Sequence, residues 1–213
     1  MLQTGSAPPR LDGLVVLVVD ATTGVGRELT TRLCAAGAVV AVVGAGHPDR
    51  VDDAATNAAF LCKALTDAGL VALPYRIDIG DPAEAARLPG QIAADVGPLD
   101  AAVVLLPPPD TGTGLHGAFR TLSAALAAAL PAGARHIEGT SSGATGPDTT
   151  TAGDRTWVRS VVDGLAARAA RRTVADRRPP RAAATEVPRG ETCPSESSWQ
   201  GTTNWSWRPS PRP

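Results

Sequence analysis

Residues 15–26 read VVLVVDATTGVG: an unbroken apolar run, a short polar turn, then Gly24-Val25-Gly26 opening a helical stretch. Valine and leucine side chains in a row suit a strand buried on both faces, as in a parallel sheet covered by helices. Arg27 to Ala36 continues with Leu29, Leu33 and Ala36 along one side of a helix. A strand-to-helix turn with glycines lets main chain approach a pyrophosphate, which the free N–H groups of the helix N-terminus attract. Asp20 stands where such a turn would open with glycine, and an ionised carboxylate there repels an anion. The stretch predicts a nucleotide site, cradled by Thr23, Gly24, Val25 and Gly26, with a like charge set into it at Asp20.

Beyond this unit the pattern alternates. Strands are predicted at 14–19, 39–43, 70–77, 101–106 and, weakly, 135–140. Helices are predicted at 26–36, 52–68, 82–88, 118–130 and 157–171, with 91–96 continuing the third after Pro89-Gly90. Strands alternating with helices of this length give an α/β architecture with a parallel sheet covered on both faces. Crossover handedness and the switch-point rule then place a ligand beyond the carboxyl ends of the strands, beside Asp20–Gly26 and Pro107.

The chain of 213 residues suits one ordinary domain, and its alanine, valine and leucine content can bury a core despite few aromatics. No apolar run reaches the ~18–20 residues that span a bilayer, so no membrane association is expected. Residues 1–10 lack the basic-then-apolar order of a signal peptide. Cys34, Cys62 and Cys193 are odd in number and lack metal-type spacing, which predicts a reducing, cytoplasmic setting and no metal site. Residues 1–167 carry 17 acidic and 11 basic side chains, whereas residues 168–213 carry four acidic side chains and nine arginines. The predicted organisation is a flexible N-terminus at 1–10, a domain at 11–170 and a disordered basic Pro/Arg/Ser-rich tail at 171–213. Without aromatics interleaved at useful spacing, the basic tail does not make a nucleic-acid reader.

Six short pieces, in order, resemble the short-chain dehydrogenases/reductases. Leu11-Asp12-Gly13 followed by VVLVVDATTGVGREL is similar to the family's opening strand and T-G-x-x-x-G-x-G turn, with Val19 and Asp20 in place of the Thr and first Gly. Tyr75-Arg76-Ile77-Asp78-Ile79 resembles the end of strand three, and Gly97-Pro98-Leu99-Asp100 the lead into strand four. Ser141-Ser142 falls where the catalytic serine is expected, and Arg159-Ser160-Val161-Val162-Asp163-Gly164-Leu165 resembles the helix carrying the catalytic lysine. The resemblance, over about 11–167, implies a Rossmann-like doubly wound sheet of about five strands in the order 3-2-1-4-5, without the family's last strands. It implies NAD or NADP as cofactor, contacted by Asp20, Thr23, Gly24, Val25, Gly26, Asp78, Ile79 and Val104. It also implies a small-molecule substrate undergoing hydroxyl/carbonyl redox chemistry, and homo- or hetero-oligomers formed through helices 118–130 and 157–170.

The family's chemistry is not matched in the same way. Strand four ends in Val104-Leu105-Leu106-Pro107 where the family has N-N-A-G, and the helix-four Asn falls on Gly114. Thirteen residues beyond Ser142, the tyrosine position holds Arg155, and the lysine position four further on holds Arg159. The chain has one tyrosine, Tyr75, and one lysine, Lys63, both in its first half. Arginine keeps a charge but exchanges no proton near neutrality, and losing general acid–base catalysis costs ~10²–10⁴-fold in rate. Ser142, without a partner, is expected to be an ordinary loop serine; Arg155 and Arg159 are expected on a solvated helix face. Strand two offers neither an acid for an NAD ribose nor a placed arginine for an NADP phosphate: Gly44-Ala45-Gly46 follows it, then His47 and Arg50. The Arg/Pro/Ser/Thr-rich end with Trp199, Trp205 and Trp207 resembles a GC-rich reading frame translated out of register. Three functions follow as expectations. The first is an oxidoreductase-like protein with impaired catalysis. The second is a non-catalytic binding or regulatory partner of an intact relative. The third is non-redox chemistry, a dehydratase or cyclase using Ser142, His116 or Asp110.

Overall fold

The computed structural model describes residues 9–22, 24–44, 51–109, 114–140 and 150–176. The strands are β1 (Val15–Val19), β2 (Val39–Val43), β3 (Ala72–Tyr75), β4 (Ala101–Leu106) and β5 (Arg135–Thr140). The helices are α1 (Gly24–Ala35), α2 (Val51–Asp67), α3 (Pro82–Asp95), α4 (Leu115–Ala129) and α5 (Ala152–Asp176). All strand pairs are parallel, in the order β3-β2-β1-β4-β5. The chain forms the parallel α/β sheet expected from the alternating pattern, in the doubly wound order that the resemblance implied. Residues 1–8 and 177–213, where a flexible terminus and most of a disordered tail were expected, lie outside the described residues.

Each strand divides its side chains between two cores. Val16 and Val18 of β1 pack with Leu29 and Leu33 of α1, Leu61 and Leu65 of α2, and Val158, Val161, Val162 and Leu165 of α5. Val15, Leu17 and Val19 pack on the other face with Leu88 and Ile92 of α3 and Phe119, Leu122 and Leu126 of α4. β1 and β4 are buried along their whole length, as their unbroken apolar runs require. Asp100, which opens β4, accepts the Val15 N–H on its carboxylate at 3.0 Å and donates its own N–H to Val15 O at 2.9 Å. Its carbonyl accepts the Arg135 N–H at 2.9 Å. One buried residue, through its carboxylate and its main chain, thereby ties together the starts of three strands.

Several element boundaries differ from expectation, and three of the differences have a local reason. α3 runs through Pro89-Gly90 without a break. Asp81 caps its first turn, Pro82 takes a position where no N–H is needed, and Leu88, Pro89 and Ile92 bury one stripe that holds the helix together despite the missing hydrogen bond. β3 is shorter than 70–77, because Pro74 and the turn at Asp78 leave only 72–75 in the ladder. α5 begins at Ala152 rather than 157. Thr151 Oγ1 accepts the Asp154 N–H and the Asp154 carboxylate accepts the Thr151 N–H, a reciprocal capping box.

The placement of α5 is the main departure. β3 to β4 and β4 to β5 progress in one direction across the sheet, and right-handed crossovers put α3 and α4 on the same face. A crossover onward from β5 would put α5 there too. Instead α5 packs on the opposite face, against α1. No strand follows β5 among the described residues, so crossover handedness does not constrain the helix. β5 decides the matter by its side chains. His136, Glu138 and Thr140 are paired with the β4 residues of the α3/α4 face, whereas Ile137 and Gly139 are paired with those of the other face. The apolar stripe of α5 follows Ile137 and Gly139.

Candidate functional site

The turn between β1 and α1 lies where the sheet order reverses, with β2 on one side of β1 and β4 on the other. That crevice is where open α/β sheets bind ligands. Asp20 ends the strand with φ of 64°, the left-handed conformation that glycine adopts without strain, and is the one non-glycine residue to do so among those described. Aspartate tolerates it better than most side chains. Gly24 has φ of 48°. A Cβ on Gly26 would overlap the Asp20 carbonyl oxygen and approach Leu105 Cδ1 at 2.9 Å, so only glycine lets α1 start this close to the strand. Ala21 N–H is committed to Val43 O at 3.1 Å, which ties the turn to β2. The first turn of α1 carries no acidic side chain, so the N-terminal end of the helix keeps its attraction for an anion.

The surroundings of Asp20 bear on the like charge expected there. Asp20 is half-buried, and desolvation raises its carboxyl to about 7. Near neutral pH a large fraction of molecules therefore hold it uncharged, able to donate a hydrogen bond instead of repelling a phosphate.

The remaining predicted contacts scatter. Thr23 and Ser142 lie outside the described residues, as do Asp110, His47 and Arg50. Val25, Ile79 and Val104 are core side chains, so their contact with any ligand is limited to main chain. Asp78 sits in the turn after β3, where its Oδ1 accepts the Gly80 N–H at 2.8 Å. Arg155 is exposed and donates to Thr150 O at 3.1 Å. Arg159 is also exposed and lines a cleft of ≈ 460 Å³ between α1 and α5, with Arg32, Ala35 and Asp163. The two arginines therefore do not converge on the strand ends. Tyr75, the sole tyrosine, donates to Asp95 at 2.8 Å, and its phenol is held above the usual range by burial and then by that carboxylate. Lys63 is ion-paired with Asp67 on the exposed side of α2. Neither can serve a proton relay at the end of β4.

Residues not foreseen from sequence occupy the region expected for catalysis. A cleft of ≈ 440 Å³ at the ends of β4 and β5 is lined by Leu106, Glu138, Thr140, Asp154 and Trp157 among others. Trp157 lies directly on Gly139, whose missing side chain makes room for the indole, and Leu105 touches both Gly139 and the space beside Gly26. Behind the cleft, fully buried Ser123 of α4 donates to Glu138 at 2.6 Å and faces His136 Nε2 at 2.9 Å. The serine has one proton and gives it to the carboxylate, so His136 must donate from Nε2. His116, expected on a surface loop, belongs to the first turn of α4, where its Nδ1 lies 2.7 Å from Pro107 O and must carry the proton. An i,i+2 polar pair on a weak strand was the available signal for the first cluster; its serine partner is thirteen residues away on a helix.

Cys34 and Cys62 are buried free thiols, raised by burial to about 12 and about 11, and act as small core residues. Among the described residues no group of three or more His, Cys, Asp or Glu could hold a metal, and no helix is long and apolar enough to cross a membrane. α4 and α5 lie on opposite faces of the sheet.

No family model and no curated protein matches the chain. Solved structures do. A doubly substituted Serratia marcescens short-chain dehydrogenase/reductase is 24% identical with a TM-score of 0.50, covering 75% of this chain and 67% of that one. The short-chain dehydrogenase/reductase from Serratia marcescens BCRC 10948 is 24% identical with a TM-score of 0.49, covering 62% of this chain and 56% of that one. A blue fluorescent protein from a metagenomic library, in complex with NADPH, is 25% identical with a TM-score of 0.45, covering 61% and 56%. The likeness is one of fold: the chain shares a doubly wound parallel fold with the first of these structures and spans 56% of the length of the second and third.

Proposed function

We propose that the chain is an oxidoreductase-like protein of short-chain dehydrogenase/reductase type that holds a nicotinamide dinucleotide at the β1–α1 turn and lacks effective redox catalysis. The observation that carries the reading is the turn itself. Asp20 takes a glycine-like conformation, Gly26 leaves no room for a Cβ, and the first turn of α1 sits at the switch point. These features fit a pyrophosphate, because backbone N–H groups bind it whatever the side chains.

When bound, a nicotinamide would supply a hydride donor or acceptor. Gly24, Val25 and Gly26 would hold the phosphates through main-chain N–H groups, and Asp20, when protonated, would add a donor. Leu105 and Leu106 would wall the end of β4 against water. No described side chain at the strand ends supplies a phenol tuned by a neighbouring ammonium, and this is why catalysis is impaired. NAD or NADP both remain compatible with a strand-two end that carries neither an acid nor a placed arginine at Gly44.

The test is steady-state oxidation of NADH and NADPH by the purified full chain across a panel of ketones and aldehydes. The expected result is no turnover above the uncatalysed rate. Efficient turnover of any member would overturn the reading.

A further inference from the structure

We propose that the outer edge of β5 is an interface between two copies of this chain, in which the two β5 strands pair antiparallel about a twofold axis at Ile137. β5 is an edge strand, hydrogen-bonded to β4 alone among the described residues. The Arg135 N–H goes to Asp100 O, on the β4 side. Strand main-chain groups alternate sides, so Ile137 and Gly139 also turn towards β4, and the N–H and C=O of His136 and Glu138 point outward. Such an edge is a ready template for another strand.

The register follows from the side chains. A twofold axis perpendicular to the sheet keeps each face on its own side, so outward-facing residues must pair with outward-facing residues. Centred on His136, two imidazoles would meet; centred on Glu138, two carboxylates would meet, which is unfavourable. Centred on Ile137, each His136 opposes Glu138 of the second copy. Both outward residues then exchange main-chain N–H···O=C bonds, and Ile137 meets its own mate on the apolar face. His136 and Glu138 of one copy are already bridged by Ser123, which holds them on one face of the strand. Around the axis, imidazole and carboxylate therefore alternate and like groups do not meet. On the opposite face Arg135 faces Gly139 of the second copy, the glycine on which Trp157 lies, so a guanidinium comes to the edge of an indole. The self-complementary run His136-Ile137-Glu138 specifies a second copy as the occupant. The inference does not rest on the nucleotide reading.

Sedimentation velocity on the full chain across the micromolar range tests it. The wild type is expected to be a concentration-dependent dimer. His136→Glu places carboxylate against carboxylate, Glu138→His places imidazole against imidazole, and each should weaken the dimer by about tenfold or more. The double exchange, His136→Glu with Glu138→His, recreates the alternating pattern and should restore it. Glu138→Pro removes an outward N–H that the β4 ladder does not use, so it should give a folded monomer, checked by circular dichroism. A wild-type monomer throughout, a dimer indifferent to Glu138→Pro, or a folded double exchange that stays as weak as the single variants would overturn the proposal.

Discussion

At Asp20, one side chain carries both a conformational cost and an electrostatic one. A non-glycine residue held at φ of 64° costs on the order of 1 kcal/mol. Its buried carboxyl binds a proton more tightly in the folded chain than in the unfolded chain, where carboxyls titrate near about 4. The sign follows: the folded state is favoured fully below that range, and this contribution is lost as pH rises through about 7. Asp20→Asn, which tolerates the same φ, should therefore flatten the fall in thermal stability between pH 5 and pH 8.5. It should gain on the order of 2–4 kcal/mol at the alkaline end, read from urea melts at both pH values. Asp20→Gly should gain somewhat more at every pH. Gly26→Ala, with its methyl driven onto the Asp20 carbonyl, should destabilise by about 2 kcal/mol or more, measured the same way. At this scale the sequence was half legible. The glycine spacing located the turn, and the aspartate was visible as an intruder. That it would be desolvated rather than charged depends on what packs around it, and no local pattern encodes that.

Among the elements, α5 shows where local reading ends. Its capping box, Thr151 with Asp154, was readable as a helix start and was missed because the apolar stripe begins only at Trp157. Asp154→Ala should cost about 1 kcal/mol by loss of that reciprocal pair. Trp157→Ala should cost about 2–4 kcal/mol, because the half-buried indole fills the space over Gly139 and beside Leu105. Both are checked by chemical denaturation followed by far-ultraviolet circular dichroism. β2, β4 and β5 coincide with their predicted ranges, since each is a compact run bounded by turn residues. Arg155 and Arg159 lie exposed on α5, and Arg159 lines the cleft towards α1.

For the whole molecule, the parallel sheet followed from alternation and its strand order from the family resemblance, while the sides taken by α3 and α4 obey crossover handedness, a rule that holds whenever a strand leads to a parallel strand. After β5 no further strand follows among the described residues, and the side chains of β5 itself divide between the two faces. The resulting molecule combines a strand-to-helix turn at its switch point, closed by Gly24 and Gly26, with a strand-end cleft walled by Trp157 and carboxylates. The account stands on the turn still accepting a dinucleotide. Calorimetric titration of NADH and NADPH into the full chain at pH 6 and pH 8.5 tests this most directly. The account predicts saturable binding of at least one of them, tighter at pH 6, with the pH difference lost in Asp20→Asn. No heat of binding from either dinucleotide at pH 6, with the chain folded, would contradict it.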